Sequence, residues 1–175
     1  MSEALVPVQF HVNGRPVRAE VPADLPLVDF LREELGLSGT RLCCGIGVCK
    51  ACTVAARRQP SSQAQPMLAC STPVALLQGQ RITTVEGTGS MDRPSRVQQA
   101  FLDHFAFQCG YCTPGFVMAT EMLVERLRVQ PVRRAQLDAA IEDAVGQHIC
   151  RCTGYARYHQ AIRAVVLAEK GLVVA

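Results

Sequence analysis

Residues 43–52 read CCGIGVCKAC, and two later stretches, QCGYC at 108–112 and ICRC at 149–152, are almost as rich in thiol. Together with Cys70 they hold all nine cysteines of a 175-residue chain. Thiols at this density can close disulfides, serve as a redox dithiol, or bind a soft metal as thiolates. An odd number fits a closed disulfide framework poorly, and the start MSEALVPVQF has neither the basic segment nor the apolar run of a secretory leader. Cys109-x2-Cys112 lacks the βαβ surroundings of a thioredoxin-like dithiol. Metal ligation is left, and the spacing has to say which metal.

Cys44, Cys49 and Cys52 follow C-x4-C-x2-C, with Cys70 further on, the spacing by which plant-type ferredoxins hold a [2Fe–2S] cluster. With four thiolates such a cluster carries a charge of about −2 oxidised and about −3 reduced, so burying it requires dipoles aimed at the sulfurs. Gly45 and Gly47 let the loop wrap tightly and turn backbone N–H groups inward. Zinc needs no wrapped loop and favours paired C-x2-C knuckles; a structural double-zinc module that scaffolds a partner is the competing reading. Cys43 is then the spare thiol, expected as a small buried hydrophobe, with a vicinal disulfide to Cys44 or a redox-sensitive thiol as alternatives. The second set is Cys109, Cys112, Cys150 and Cys152. Thr113 and Thr153 directly follow its two pairs and read as N-caps, which would set both pairs at helix N-termini, where free N–H groups suit an anion.

The elements that position these loops fall into two unlike halves around GTGSMDRPS at 87–95. In the first, VPVQFHV and RPVRAEV flank Asn13-Gly14, a hairpin signal because both turn residues tolerate positive φ. Asp24 precedes a helix with Pro26 near its first turn and Gly36 as its stop. After the cysteine loop come a strand at ACTVAA, a polar insertion RRQPSSQAQ and a closing strand at RITTVEG. The expectation is an α+β chain: a strand-rich unit over 1–87, a linker over 88–94 and a helical unit over 95–175. Ser95 and Gln98 form a capping-box pair, followed by an apolar stripe of Val97, Phe101, Leu102 and Phe105. Further helices are expected from Thr113-Pro114 to Pro131, from about Ala135 to Val145 with Gly146 as stop, and from about Ala156 to Lys170. Their stripes (Phe116, Val117, Thr120, Leu123, Val124 and Leu127; Leu137, Ile141 and Ala144; Ile162, Val165 and Val166) read as the core of a bundle. Each half has fewer than ninety residues, a size at which a core alone gives marginal stability and bound metal adds folding free energy.

Composition removes other functions. A net charge of +3 with 5% aromatic residues argues against a nucleic-acid partner, and no apolar run reaches the ~18 residues of a membrane span. There is no phosphate loop, nucleophile elbow or dinucleotide fingerprint, so the chain is expected neither to bind flavin nor to activate a substrate. No C-x-H pair offers a Rieske site. His11, His104 and His159 read as surface or packing residues, and His148 as a hydrogen-bonding or structural neighbour of Cys150. The chain is expected to be made in the cytoplasm and to leave only as a folded passenger of a signal-bearing partner; the internal pairs Arg57-Arg58 and Arg133-Arg134 cannot act as an N-terminal export signal.

CGIGVCKACTV, FQCGYCTPG and ICRCTGY together resemble the two-cluster iron–sulfur subunit of the xanthine dehydrogenase and aldehyde oxidase family of molybdenum hydroxylases. The resemblance runs from the Asn-Gly hairpin to the last helix. It implies a β-grasp ferredoxin-like domain holding an outer [2Fe–2S] cluster through Cys44, Cys49, Cys52 and Cys70. It also implies an all-α four-helix-bundle domain holding an inner [2Fe–2S] cluster through Cys109, Cys112, Cys150 and Cys152, with Gln108 and Cys152 facing the molybdopterin of a separate large subunit. That subunit would hydroxylate an aldehyde or N-heteroaromatic substrate, and the electrons released would pass to a flavin or cytochrome c subunit. This chain would be the electron-transfer subunit of an oxidoreductase, with no catalytic residue of its own. It departs from the family's C-G-E-G-x-C-G-x-C loop at Ile46 and Lys50, has Cys43 where a Gly is usual, and is longer between Cys52 and Cys70. Surface drift and an acceptor other than flavin are the two expectations these departures raise.

Overall fold

The computed structural model describes residues 5–60 and 62–175. Met1–Ala4, the head of the stretch considered for a leader, and Ser61 of the polar insertion lie outside them. β1 (Leu5–Val12) and β2 (Arg15–Pro22) pair antiparallel in one register from Leu5–Pro22 to Val12–Arg15. Asn13 at φ 50° and Gly14 at φ 80° make the left-handed two-residue turn whose twist matches its strands. With β3 (Thr53–Arg57), β4 (Gln65–Leu68) and β5 (Arg81–Thr83) they build a sheet of order β2-β1-β5-β3-β4. The β1–β5 contact is parallel and every other is antiparallel.

α1 (Leu27–Asp29) makes one α turn and then widens into a π turn over Phe30–Glu34. Pro26 is its N-cap, and Gly36 at φ 65° ends it, letting Leu37 N–H return to the Leu31 carbonyl at 2.7 Å. Its buried side chains Leu27, Val28 and Leu31 pack on Phe10, Val54 and Ile82. The first cysteine loop hangs between this helix and β3, so both of its ends are anchored in that core.

The second half carries α2 (Arg96–Asp103), α3 (Thr113–Val129), α4 (Leu137–Val145) and α5 (Ala156–Ala168) around Phe101, Phe116, Leu123, Ile141, Tyr158 and Ile162. The capping box forms as expected: Gln98 N–H donates to Ser95 Oγ at 3.1 Å, and Ser95 N–H to Gln98 Oε1 at 2.8 Å. Two expectations for this half fail. Leu102 is exposed because it sits a quarter-turn round α2 from buried Phe101, and Phe105 because α2 stops at Asp103 and Phe105 takes φ 46°, turning the chain outward before the stripe is complete. The half is also not all-α: Pro131 ends α3, Val132 N–H meets the Leu172 carbonyl at 3.0 Å, and β6 (Val132–Arg133) pairs parallel with β7 (Val173–Val174).

α3 lies against β3, and Ala55, Ala64, Met118 and Met122 form a small core between the halves. The polar insertion is the β3–β4 hairpin loop, and it is fastened. Both terminal nitrogens of Arg57 donate to the Glu125 carboxylate at 2.6 Å, and Ala64 N–H reaches Glu125 Oε1 at 3.3 Å. Among the described residues no helix is long and apolar enough to cross a membrane.

Candidate metal centres

The first loop, Leu42–Ala51, folds as its glycines dictate. Gly45 (φ 70°), Gly47 (φ 73°) and Lys50 (φ 62°) are all left-handed, and a Cβ on Gly47 would stand 3.1 Å from Ser71 Oγ and 3.3 Å from Leu68 Cδ1. The wrap turns amides onto sulfur: Gly47 N–H donates to Cys70 Sγ at 3.3 Å and Cys49 N–H to Cys44 Sγ at 3.5 Å. From β4's end, Cys70 N–H donates to Cys52 Sγ at 3.4 Å. The Cys49 amide, followed by that of Ile46, pulls the Cys44 thiol down to about 6, so that it is largely thiolate near neutral pH. Burial does the opposite to Cys52, pushed up to about 12, and raises Cys49. Cys43 is exposed, free and outside this arrangement, which corrects the buried-hydrophobe expectation: its side chain leaves the loop on the solvent side.

The second site is assembled from the α2–α3 and α4–α5 connections. Cys109 Sγ lies 3.6 Å from Cys152 Sγ, and the Cys112 thiol sits against that of Cys150. Thr113 and Thr153 are not N-caps. Cys112 itself occupies that position on α3, while Thr113 Oγ1 pairs with Tyr158 Oη at 2.7 Å. Thr153 Oγ1 donates to Cys150 Sγ at 3.1 Å and accepts from Tyr155 N–H, and α5 begins only after Tyr155, whose φ is 69°. Burial pushes Cys150 up, but the Thr153 hydroxyl and the amides of Cys152 and Thr153 outweigh it and bring the thiol down. Burial raises Cys112 to about 11. Gln108, Cys109 and Cys152 lie on the exposed rim.

Both quartets are thus split into pairs: Cys44 with Cys49, Cys52 with Cys70, Cys109 with Cys152 and Cys112 with Cys150. Among the described residues no three or more Cys, His, Asp or Glu side chains gather round a single ion. A tetrahedral zinc would need four donors converging on one point. Two irons bridged by sulfide need two thiolates each, which is what the pairs offer, and the inward N–H and O–H groups suit the anionic product. The thiols therefore fit [2Fe–2S] clusters.

The two loops touch. Ile149 N–H donates to the Cys49 carbonyl at 3.1 Å, one residue from Cys150. α3 comes so close that a Cβ on Gly115 would stand 2.4 Å from the Lys50 carbonyl oxygen. Tyr111 Oη donates to the Leu42 carbonyl, and Arg41 stacks over the Tyr111 ring. His148 is buried with its ring 4.9 Å from that of Phe116, and burial lowers its pKa to about 4 against the opposing pull of the Val145 and Gly115 backbone. It makes no hydrogen bond to the ligands, which leaves the structural role. Tyr158, Gly115 and the Arg57–Glu125 pair escaped the sequence reading, as did the bond that Thr153 makes to Cys150 Sγ. Tyr158 was within reach, since it extends the stripe of Ile162 and Val165 one turn back.

Two sites, each of paired thiols wrapped in donors and linked by a backbone hydrogen bond, define an iron–sulfur electron carrier. A model of the 2Fe-2S iron-sulfur cluster binding domain matches residues 10–75 and a [2Fe-2S] binding domain model matches 84–163. The chain is 37% identical to a nicotinate dehydrogenase subunit of Pseudomonas putida, over 89% of this chain and 92% of that protein. It is 40% identical to aldehyde oxidase 4 of Cavia porcellus over 83% of this chain, but spans only 11% of that protein. Among solved structures, quinoline 2-oxidoreductase from Pseudomonas putida superposes with a TM-score of 0.79 at 32% identity, covering 94% of this chain and 96% of the matched one. Aldehyde oxidoreductase from Desulfovibrio desulfuricans gives 0.80 at 30% identity, covering 97% of this chain and 18% of that one. The chain belongs to the two-cluster [2Fe–2S] subunits of the molybdenum hydroxylase family, and its work is electron transfer within an oxidoreductase.

Proposed function

We propose that Cys44, Cys49, Cys52 and Cys70 hold the outer cluster in a β-grasp ferredoxin-like domain over residues 1–87, and that Cys109, Cys112, Cys150 and Cys152 hold the inner one in a four-helix-bundle domain over 95–175, with 88–94 as linker. Gln108 and Cys152 face the molybdopterin of a large partner subunit, and a flavin or cytochrome subunit is the acceptor. The relatives that match over nearly their whole length are named for nicotinate and quinoline, which favours an N-heteroaromatic substrate over an aldehyde. When bound, each cluster supplies a one-electron couple. The chain's residues supply the rest: thiolate pairs hold the irons, amides and the Thr153 hydroxyl offset negative charge at sulfur, and Tyr158, stacked on Phe116, backs the Cys112 side of the inner site.

The observation that carries this reading is the 3.1 Å hydrogen bond from Ile149 N–H to the Cys49 carbonyl, which joins a residue of one quartet to the neighbour of a residue of the other. Cys109→Ser in the native complex tests it. One of two distinguishable paramagnetic signals should vanish, iron should fall from about four to about two per chain, and substrate turnover should stop. Persistence of both signals refutes the inner-site assignment.

A further inference from the structure

We propose that Tyr158 is a positioning residue of the inner site: its hydroxyl, braced by that of Thr113, donates a hydrogen bond to Cys112 Sγ and offsets the negative charge that an incoming electron adds there. The inference rests on the inner-site reading above and adds to it a residue that lies outside both cysteine motifs.

Tyr158 is the third residue of α5 and stands in the helical core at 0% exposure. Its ring is stacked on Phe116 of α3, with centroids 4.1 Å apart and planes 8° from parallel, and it meets the edge of Phe101 of α2 at 5.5 Å. Three helices therefore fix the plane of the ring and, with it, the place of the hydroxyl. Phenylalanine would satisfy the packing alone, whereas a phenol buried there costs free energy unless its O–H is bonded. Two side-chain atoms stand within reach. Tyr158 Oη lies 2.7 Å from Thr113 Oγ1 and 3.6 Å from Cys112 Sγ.

The direction of these two bonds follows from where the hydrogens are. As a ligand Cys112 is a thiolate with no proton to give, so its sulfur can only accept. The two hydroxyls both keep their hydrogens near neutral pH. If Thr113 donates to Tyr158 and Tyr158 donates to Cys112, the phenol oxygen and the sulfur are both served, and each O–H polarises the next. The reverse order would leave the half-buried Thr113 hydrogen to solvent and set the phenol's lone pairs against a thiolate. Cys112 then matches its neighbour Cys150, which receives the Thr153 hydroxyl at 3.1 Å. Among the described residues no hydroxyl reaches Cys109 or Cys152 on the rim, so the hydroxyl donors serve only the buried pair.

The test is a redox titration of the native complex followed by paramagnetic resonance, with Tyr158→Phe and Thr113→Val. Phenylalanine keeps the stack on Phe116 and removes only the hydroxyl. At a fixed ambient potential the reduced-to-oxidised ratio of the inner cluster should fall roughly three- to tenfold, about 30–60 mV more negative for one electron, with the outer cluster unmoved. The iron–sulfur stretching bands should also lose part of the shift they show in heavy water, because the exchangeable proton at Cys112 is gone. Thr113→Val should move the inner midpoint in the same direction but less, since the phenol still donates and is no longer polarised. An inner midpoint unmoved by Tyr158→Phe overturns the proposal. So does a positive shift in Thr113→Val, which would mean that Thr113 had been holding the phenol's hydrogen away from sulfur. Should the phenylalanine variant lose its inner cluster, the sign of the Thr113→Val shift decides. Fewer than two paramagnetic signals in the unsubstituted complex would strike the inner-site reading itself, and that result precedes any substitution.

Discussion

Gly115→Ala puts a favourable local effect against an unfavourable tertiary one. Gly115 is the third residue of α3, where alanine is preferred by about 0.8–1.0 kcal/mol on helix propensity alone. Yet the new Cβ would stand 2.4 Å from the Lys50 carbonyl oxygen and 3.1 and 3.2 Å from Ala51 Cα and oxygen. These are backbone atoms of a loop wound through left-handed Lys50, so α3 itself must retreat by roughly 0.6–1 Å, and packed interiors yield little. Overpacking costs about 1–3 kcal/mol, and a contact this short against backbone belongs to the upper part of that range, about 2–3, so the tertiary effect wins by about 1–2 kcal/mol. For a chain of this size that lowers the apparent melting midpoint by roughly 2–8 °C. The midpoint is read as loss of visible cluster absorption at one fixed scan rate. The Ile149–Cys49 bond lies in the same seam, so the Ile149 amide should also exchange its proton faster. An unchanged or raised midpoint, with Ile149 as protected as before, would show that the seam is soft and that the two loops are not held by α3.

Glu125→Ala should release the β3–β4 hairpin: side chains only 27% and 28% exposed lose a two-pronged ion pair worth about 1–2 kcal/mol, and hydrogen exchange over 57–65 should rise. Because Arg57 holds the Glu125 carboxyl below its usual value, this contribution is complete above the unfolded carboxyl value of about 4.3 and is lost as pH falls through the lower folded one. The hairpin should therefore loosen below about pH 4, a step the alanine variant lacks. Thr153→Val removes a hydroxyl that donates to Cys150 Sγ and stabilises added negative charge, so a redox titration followed by paramagnetic resonance should show the inner potential tens of millivolts (~20–60) more negative, the outer one unmoved. Iodoacetamide should alkylate one thiol of the iron-loaded protein without bleaching it, and peptide mass analysis should place the label on exposed Cys43.

Much of this could be read from residue types because the signals were local. Asn13-Gly14, the Ser95–Gln98 box and the stripe Phe116, Val117, Thr120, Leu123, Val124, Leu127 each act through neighbours within a few positions, and each appears as expected. The thiol spacings likewise reflect loop geometry that glycine φ values enforce. The pairing of Cys112 with Cys150 and of Cys109 with Cys152 is non-local, and the sequence offered only the set of four without saying which thiols meet. The failures share a cause. Leu102, Phe105 and the supposed caps Thr113 and Thr153 lie where helices end at loops that must deliver sulfur, and there the demands of the site override helical periodicity. Phe105 at φ 46° and Tyr155 at φ 69° are left-handed without being glycine, a conformation no propensity scale would assign them.

The longer stretch between Cys52 and Cys70 raises surface drift or a different acceptor as expectations in the sequence, and its contacts argue against drift. Each half alone is small, and the seam between them is thin: Ala55, Ala64, Met118 and Met122 are few side chains to fix two domains. The hairpin adds a charge-assisted clamp about a helical turn beyond that cluster, from Arg57 to Glu125, with Ala64 serving both the apolar seam and the clamp through its amide. Rotation of the halves about the Gly115–Lys50 contact would break the clamp before it broke either core. The Cys49–Ile149 bond lies close to that contact, so it is shielded from the motion that a shorter hairpin would permit. An insertion that leaves all eight cysteines of the two quartets untouched can thus act on the carrier through the separation of its two cysteine loops.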